Sequence, residues 1–358
     1  IPTTTAAVYG ARFDHDPITL ACKGLLIEES RTNTLIQSND FANAAWAKSN
    51  ITIGSTTNLS PDGSNNATLL IAGTASVSWI FRSSITASGS TVTFFAKSSG
   101  KRWAVVDASS GSGTAGVWFD LQNGVVGTVA SGYTASIQQF PSGFYRCRVT
   151  YPSSGAGTFC VIGVSDNDGL FVSTGSGSNG IILYGAQLEA GSFPTSYIPT
   201  TTASVVRSAD LCSITGSDFT GFYNQPEGTY QGAYSFISGF SITGKAPCLV
   251  QASNNSFNEL TRIGTATSSL FQALDTTVGG SLTRVEVLNA LSTTSLNKIA
   301  GAYKAGSNAI SRNGGAVATS SPAGITSLAN RLDIGNLHTN TSSNTLCGHI
   351  ASIRYYKK

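Results

Sequence analysis

Short runs of β-branched and aromatic residues, each ended by Gly, Ser, Asn or Pro, recur along the whole chain. Thr91–Lys97, Trp103–Asp107, Val117–Leu121, Phe144–Tyr151, Phe159–Val164 and Gly180–Tyr184 are such runs. After Asp210 the same style resumes with Gly232–Ile237, Cys248–Gln251, Arg284–Leu288, Lys298–Tyr303, Ala309–Arg312, Arg331–Ile334 and Ile350–Tyr356. Turn signals return about every 8–12 residues, the spacing of an antiparallel sandwich or barrel. In Phe144–Val149 the side chains alternate, with Tyr145, Cys147 and Val149 on one face and both arginines on the other, as in a strand with one buried face. Asn313-Gly314 after an apolar run marks a hairpin, because both residues tolerate positive φ. Helical periodicity is confined to Asp40–Trp46, and Ser281–Leu291 is ambiguous. The chain therefore reads as all-β, two tandem antiparallel β-sandwiches of jelly-roll type joined by a Pro/Thr-rich strap.

The 358 residues suit two domains. A connector is expected over 1–36, a first sandwich over 37–197, a linker over 198–210 and a second sandwich over 211–358. Charged residues are 11 % of the chain and the net charge is 21 − 18 = +3, so no basic bulk exists to neutralise a nucleic-acid backbone. No run of about 20 apolar residues could cross a membrane as a helix, and no charged-then-apolar signal peptide opens the chain. Apolar residues at 41 % and aromatics at 9 % are enough for packed cores. The six cysteines are scattered singly, without metal-ligand spacing. They read as buried and reduced, with Cys147 and Cys160 the best pair for a disulfide if one forms.

Ile1–Val8 repeats Ile198–Val205 at seven of eight positions. The second copy reads as the exit strap of the first sandwich. The first copy, in a chain that starts at Ile1 and has no Met, is then expected to be the exit strap of a preceding module of a longer protein.

Several segments resemble virion fibre and adhesin proteins of tailed bacteriophages: Ala11–Pro17 with Gly24–Asn33 and Phe41…Trp46, then Ser60-Pro-Asp-Gly63, then Tyr184–Thr200 with Arg207–Asp210. The resemblance implies that these segments bracket a carbohydrate-binding-module-like jelly roll. The ending, Lys298–Tyr303, Asn313–Gly315, Gly348–Ile350 and Ile353–Tyr356, looks like the last strands of a concanavalin A-like or laminin G-like sandwich. The resemblance further implies a homotrimer on the exterior of a virion, on tail or head, beside other virion structural proteins.

Candidate chemistry is sparse. Arg12-Phe-Asp-His-Asp16 is the densest polar cluster, but Asp14 and Asp16 point away from His15 in an extended chain, and a turn with Asp14 or Asp16 pairing Arg12 fits better. Adjacent Glu28 and Glu29 face opposite ways on a strand and cannot flank one sugar; an ion pair of one of them with Arg31 is expected. Asp166-Asn-Asp-Gly169 carries a fragment of a calcium-loop pattern without the distal acid, so Asp166 and Asp168 are weak metal candidates and a β-turn is favoured. No cofactor is expected, with calcium the open alternative. A glycan binder would use aromatic rings, here Trp46, Trp79, Trp103, Trp118, Tyr223, Tyr230 and Tyr303. Trp79 and Trp118 sit in strand-like runs and read as core. Tyr223 and Tyr230, in a polar loop, and Trp46 are the chosen glycan contacts. The three histidines stand in no Ser–His–Asp order, and only six Glu are present.

Three functions follow as expectations. The first is a non-enzymatic phage fibre or appendage protein that binds host surface glycans, with no nucleic acid and no membrane insertion. The second is a purely structural head-fibre, decoration or spacer protein, and the third a polysaccharide depolymerase.

Overall fold

Alternation along the strands becomes two-sheet packing, once in each of two units. The computed structural model describes residues 10–74, 77–107, 113, 115–153, 158–265, 271–288, 291–337 and 343–357. Within these, the first unit comprises Pro17–Thr19 and Arg31–Arg207, and the second 10–16, Leu20–Ser30 and 208–357. The Ile1–Val8 copy of the repeat lies outside the described residues.

In the first unit one sheet runs Val125–Val129, Gly116–Asp120, Trp103–Asp107, Cys160–Ser165, Ser78–Arg82 and Ala47–Ser49 in spatial order. The facing sheet runs Thr134–Gln139, Tyr145–Thr150, Ser90–Ser99, Gly180–Ala190, Thr68–Ala72 and Ile51–Gly54. The pairings between these strands are antiparallel, and an isolated parallel bridge joins Gly100 to Gly180. Ile80, Val106, Phe119 and Ile162 of the first sheet meet Val92, Phe94, Cys147 and Leu183 of the second in one fully buried cluster. Phe94 and Phe119 meet across it edge to face, ring centroids 6.1 Å apart. Burying side chains of this size contributes about 1.5–3 kcal/mol each. Arg146 and Arg148 take the opposite face, as their alternation demands, and donate to the Thr195 carbonyl at 2.6 Å and the Ser192 carbonyl at 2.5 Å.

In the second unit one sheet runs Phe13–His15, Cys22–Ile27, Gly348–Lys357, Glu227–Phe236, Asn297–Lys304, Asn308–Arg312 and Ala318–Ser320. The other runs Cys212–Thr215, Arg331–Ile334, Cys248–Ser253, Leu260–Thr265, Gln272–Val278 and Ser281–Val287. Of the stretch read as a connector, Phe13–His15 and Cys22–Ile27 are strands of this second unit, whereas Arg31–Asn33 pairs with Val205–Arg207 in the first. The hairpin at Asn313-Gly314 has both residues at positive φ, +52° and +74°.

One expectation is corrected and two open readings are resolved. Asp40–Trp46 forms successive turns, not a helix: Asn43 Oδ1 accepts from the Ala45 N–H at 3.0 Å, a local side-chain partner that competes with helical bonding. Ser281–Val287 is a strand, and the one α-helix among the described residues is Gly216–Thr220. Cys147 and Cys160 are both free and buried, on opposite sheets of the first core.

Candidate functional site

The first sandwich carries a second apolar cluster on the outside of a sheet. In Trp103–Asp107 and Gly116–Asp120, Ala104, Val106, Val117 and Phe119 face the core, so Trp103, Val105 and Trp118 face outward. Register aligns Trp118 with Val105, Val105 with Gly163 and Gly163 with Trp79, one transverse row over four strands. Strand spacing puts about 14 Å between its two tryptophan ends. Gly163 keeps the middle of the row low: a Cβ there would come within 3.2 Å of Trp79 Cβ and 3.1 Å of Val105. Phe171 descends onto the row, its ring centroid 4.8 Å from Trp118 and 6.2 Å from Trp79, both edge-on. Trp103 and Trp118 are buried, while Trp79 and Phe171 are half-buried. Leu170 and Val172, on either side of Phe171, are exposed to 52 % and 39 %.

The loop bearing these residues is fastened at several points. Ser165 Oγ donates to the Leu170 carbonyl at 2.6 Å and accepts from the Asn167 N–H at 3.2 Å. Trp118 Nε1 donates to the Leu170 carbonyl at 3.1 Å, and Ser173 Oγ bonds Ser78 Oγ at 2.7 Å. Asp166 pairs with the Lys101 ammonium and accepts from the Thr174 N–H at 2.7 Å. Burial alone would raise the Asp166 pKa; the Lys101 and Thr174 hydrogen bonds outweigh it and hold the carboxylate below its ordinary range. Asp168 accepts instead from the Thr128 N–H at 2.7 Å. The two carboxylates expected as weak calcium candidates thus serve different partners and do not converge. Among the described residues no three His, Cys, Asp or Glu side chains gather as a metal cluster. On the far side, the Arg102 guanidinium lies 5.1 Å from the Trp103 ring centre and bonds Asp120 at 2.5 and 2.9 Å. This group can stack the apolar face of a ligand on Trp79 and Phe171, beside hydroxyl, amide and carboxylate edges.

The chosen glycan contacts lie elsewhere, and in interiors. Trp46 is fully buried, edge-on to Phe41 at 5.3 Å, with Nε1 donating to the Gln37 carbonyl at 2.9 Å. Tyr223 is 6 % exposed and stacked 4.6 Å from Phe219. The short helix Gly216–Thr220 explains this correction: Tyr223 follows buried Phe219 by four residues and turns inward with it. Tyr230 is 1 % exposed, because even-numbered positions of Glu227–Phe236 face inward. None of the three offers a free ring face.

The polar cluster gains partners from distant segments. Arg12 binds Glu28 at 2.9 Å and also Asp210. Asp14 lies 2.7 Å from His349 Nε2. Glu29 pairs with Lys245 at 2.7 Å, and Arg31 lies over the Phe193 ring at 4.6 Å. His15 is exposed, and His338 lies outside the described residues. Sequence reasoning singled out Trp79, Trp103 and Trp118 but not their adjacency, and missed Phe171, whose only signal is an apolar triplet, Leu170–Val172, straight after the Asp-Gly turn.

No protein-family profile matches the chain, and no curated protein matches it. Solved structures give distant likenesses. Domains LG4-5 of the mouse laminin α1 chain align at TM-score 0.32 and 9 % identity, covering 99 % of this chain and 92 % of that one. The LG1-3 region of the laminin α2 chain aligns at TM-score 0.31 and 7 % identity, covering 78 % of this chain and 65 % of that one. A heptameric SAP-like pentraxin from Limulus polyphemus aligns at TM-score 0.29 and 13 % identity, covering 37 % and 66 %. The chain thus spans just under two thirds of the pentraxin and of the laminin α2 fragment. At such scores none of these assigns it to a family.

Proposed function

We propose that this protein is a non-enzymatic, glycan-binding β-sandwich protein of a tailed-bacteriophage virion, exposed as a homotrimeric fibre or appendage that meets the host surface. The observation that carries the binding reading is the outward aromatic row of the first sandwich, with half-buried Trp79 and Phe171 flanked by exposed Leu170 and Val172. Exposed apolar patches rimmed by polar groups mark interaction sites, and loops held on a rigid sheet are where such sites sit. The virion reading rests on the fibre-like segments of the sequence, above all Tyr184–Thr200.

The test is a glycan array on the full chain, followed by titration of the best hit against Phe171→Ala and Trp79→Ala. Each variant should bind about tenfold more weakly, the equivalent of about 1.4 kcal/mol, with an unchanged far-UV spectrum. No hit on the array, together with no competition for phage adsorption, would favour the purely structural appendage. That alternative already gains from the burial of Trp46, Tyr223 and Tyr230. Loss of host polysaccharide on incubation with the protein would instead point to a depolymerase.

A further inference from the structure

Three asparagines are followed directly by glycine: Asn123-Gly124, Asn179-Gly180 and Asn313-Gly314. In such a pair the glycine nitrogen can attack the asparagine side-chain amide, because no Cβ hinders the approach. The attack needs a nitrogen not engaged elsewhere and local freedom of the chain. The fold separates the three pairs on both counts.

Gly124 N–H donates to the Asp120 carbonyl at 2.9 Å. Asn123 is tied to the same residue, its Nδ2 donating to Asp120 Oδ2 at 2.8 Å and its N–H to Oδ1 at 3.1 Å. Asp120 is fully buried, so this pair is moored to the interior. Gly180 is buried at the start of the strand Gly180–Ala190. The Asn179 carbonyl accepts from the Ala72 N–H at 3.0 Å, and a Cβ on Gly180 would collide with the Leu70 carbonyl. The neighbouring strand closes over this second pair.

Asn313 and Gly314 are both exposed, in the turn that follows Asn308–Arg312. Among the described residues nothing accepts from the Gly314 N–H. A Cβ on Gly314 would meet nothing within 4 Å, so the space beside its nitrogen is open. Asn313 Oδ1 accepts from the Lys298 N–H at 2.8 Å. That bond draws electrons from Asn313 Cγ, the atom to be attacked.

We infer that Asn313 is a site of spontaneous deamidation. The Gly314 nitrogen gives its proton to solvent and bonds Asn313 Cγ. The bond from Cγ to Nδ2 breaks, and Nδ2 takes up a proton and leaves as ammonia. Water then opens the five-membered imide. Cleavage between Cγ and the Gly314 nitrogen gives aspartate. Cleavage between the Asn313 main-chain carbonyl carbon and that nitrogen gives isoaspartate, with a main chain one carbon longer. Each event lowers the formal net charge from +3 to 3 − 1 = +2. Isoaspartate also lengthens a turn whose span is set by the pairing of Asn308–Arg312 with Ala318–Ser320.

The test incubates the full chain at pH 8, folded and in denaturant. Peptide mapping then separates asparagine, aspartate and isoaspartate at the three sites. In denaturant all three should convert at similar rates. In the folded chain Asn313 should convert about tenfold faster than Asn123 or Asn179, whose pairs must first give up hydrogen bonds. A more acidic ion-exchange peak should grow in step, eluting with the Asn313→Asp variant. Two results would overturn the inference: Asn313 intact in the folded chain while it converts in denaturant, or Asn123 or Asn179 keeping pace with it.

Discussion

Asn33 shows how much one side chain can hold. It is fully buried, and its amide makes four hydrogen bonds: Nδ2 donates to the carbonyls of Ala186 at 3.2 Å and Ile198 at 2.8 Å, while Oδ1 accepts from the N–H groups of Leu35 and Leu188, both at 3.1 Å. Asn33→Ala strands four backbone groups in the interior, where unmatched partners are costly, so a loss of about 3 kcal/mol or more is expected in urea denaturation of the first unit. A loss below about 1 kcal/mol would mean that the backbone finds other partners. Asp120 supplies the pH dependence. Burial alone would raise its pKa, but Arg102 and the N–H groups of Asn123 and Gln122 overcome this and hold it at about 2, below the ordinary 3.8. A depressed folded value means the stabilisation is complete above the unfolded value and vanishes as pH falls through the folded one. The stability gap between the wild-type protein and Asp120→Asn should therefore be widest above about pH 4 and narrow toward pH 2, as read by denaturant midpoints across that range.

At the scale of elements, the strap that follows the first sandwich is gripped by the strand Gly180–Ala190. Gln187 Oε1 accepts from the Ile198 N–H at 2.5 Å, and Glu189 accepts from the Thr195 N–H at 3.0 Å. Thr200 N–H donates to Ser38 Oγ at 2.8 Å, and Ile198 is fully buried. Asn33, Gln187, Glu189 and Thr195–Thr200, which lie in segments singled out in the sequence, are thus parts of this grip. Strands were legible because alternation and turn chemistry are local. The aromatic row was not, because cross-strand register and the descent of a loop join residues far apart in sequence. Nor was the burial of Tyr223, which hangs on a helix of five residues too short to leave a periodic signal. The same register yields a prediction at Gly127, where a Cβ would lie 2.4 Å from Asp168 Oδ1 and 2.7 Å from the Trp103 ring. Gly127→Val should push the Asp168 turn off the sheet and expose Trp103, seen as a red shift in tryptophan fluorescence and faster proteolysis near residue 168.

Over the whole molecule, low charge and abundant Ser, Thr and Gly coexist with two well-filled interiors, and the cysteines give a way to watch each separately. Cys147 and Cys160 lie in the first core, while Cys248 and Cys347 are buried in the second unit. Burial pushes the thiols of Cys160 and Cys248 up to about 12, far from the thiolate form that reacts. Cys22 is exposed, and Cys212 is half-buried with its pKa raised by burial and by Asp333 and Asp210. A thiol reagent at pH 8 should therefore label Cys22 quickly and Cys212 slowly, leaving the other four until denaturant opens the fold. Cys147 and Cys160 then report the first core, and Cys248 and Cys347 the second, each pair appearing as its own interior opens. Labelling in full denaturant without reductant should reach all six cysteines of the chain. A plateau at four, with Cys147 and Cys160 missing from the labelled peptides, would mean a disulfide joins the two sheets of the first core and would overturn the free-thiol arrangement.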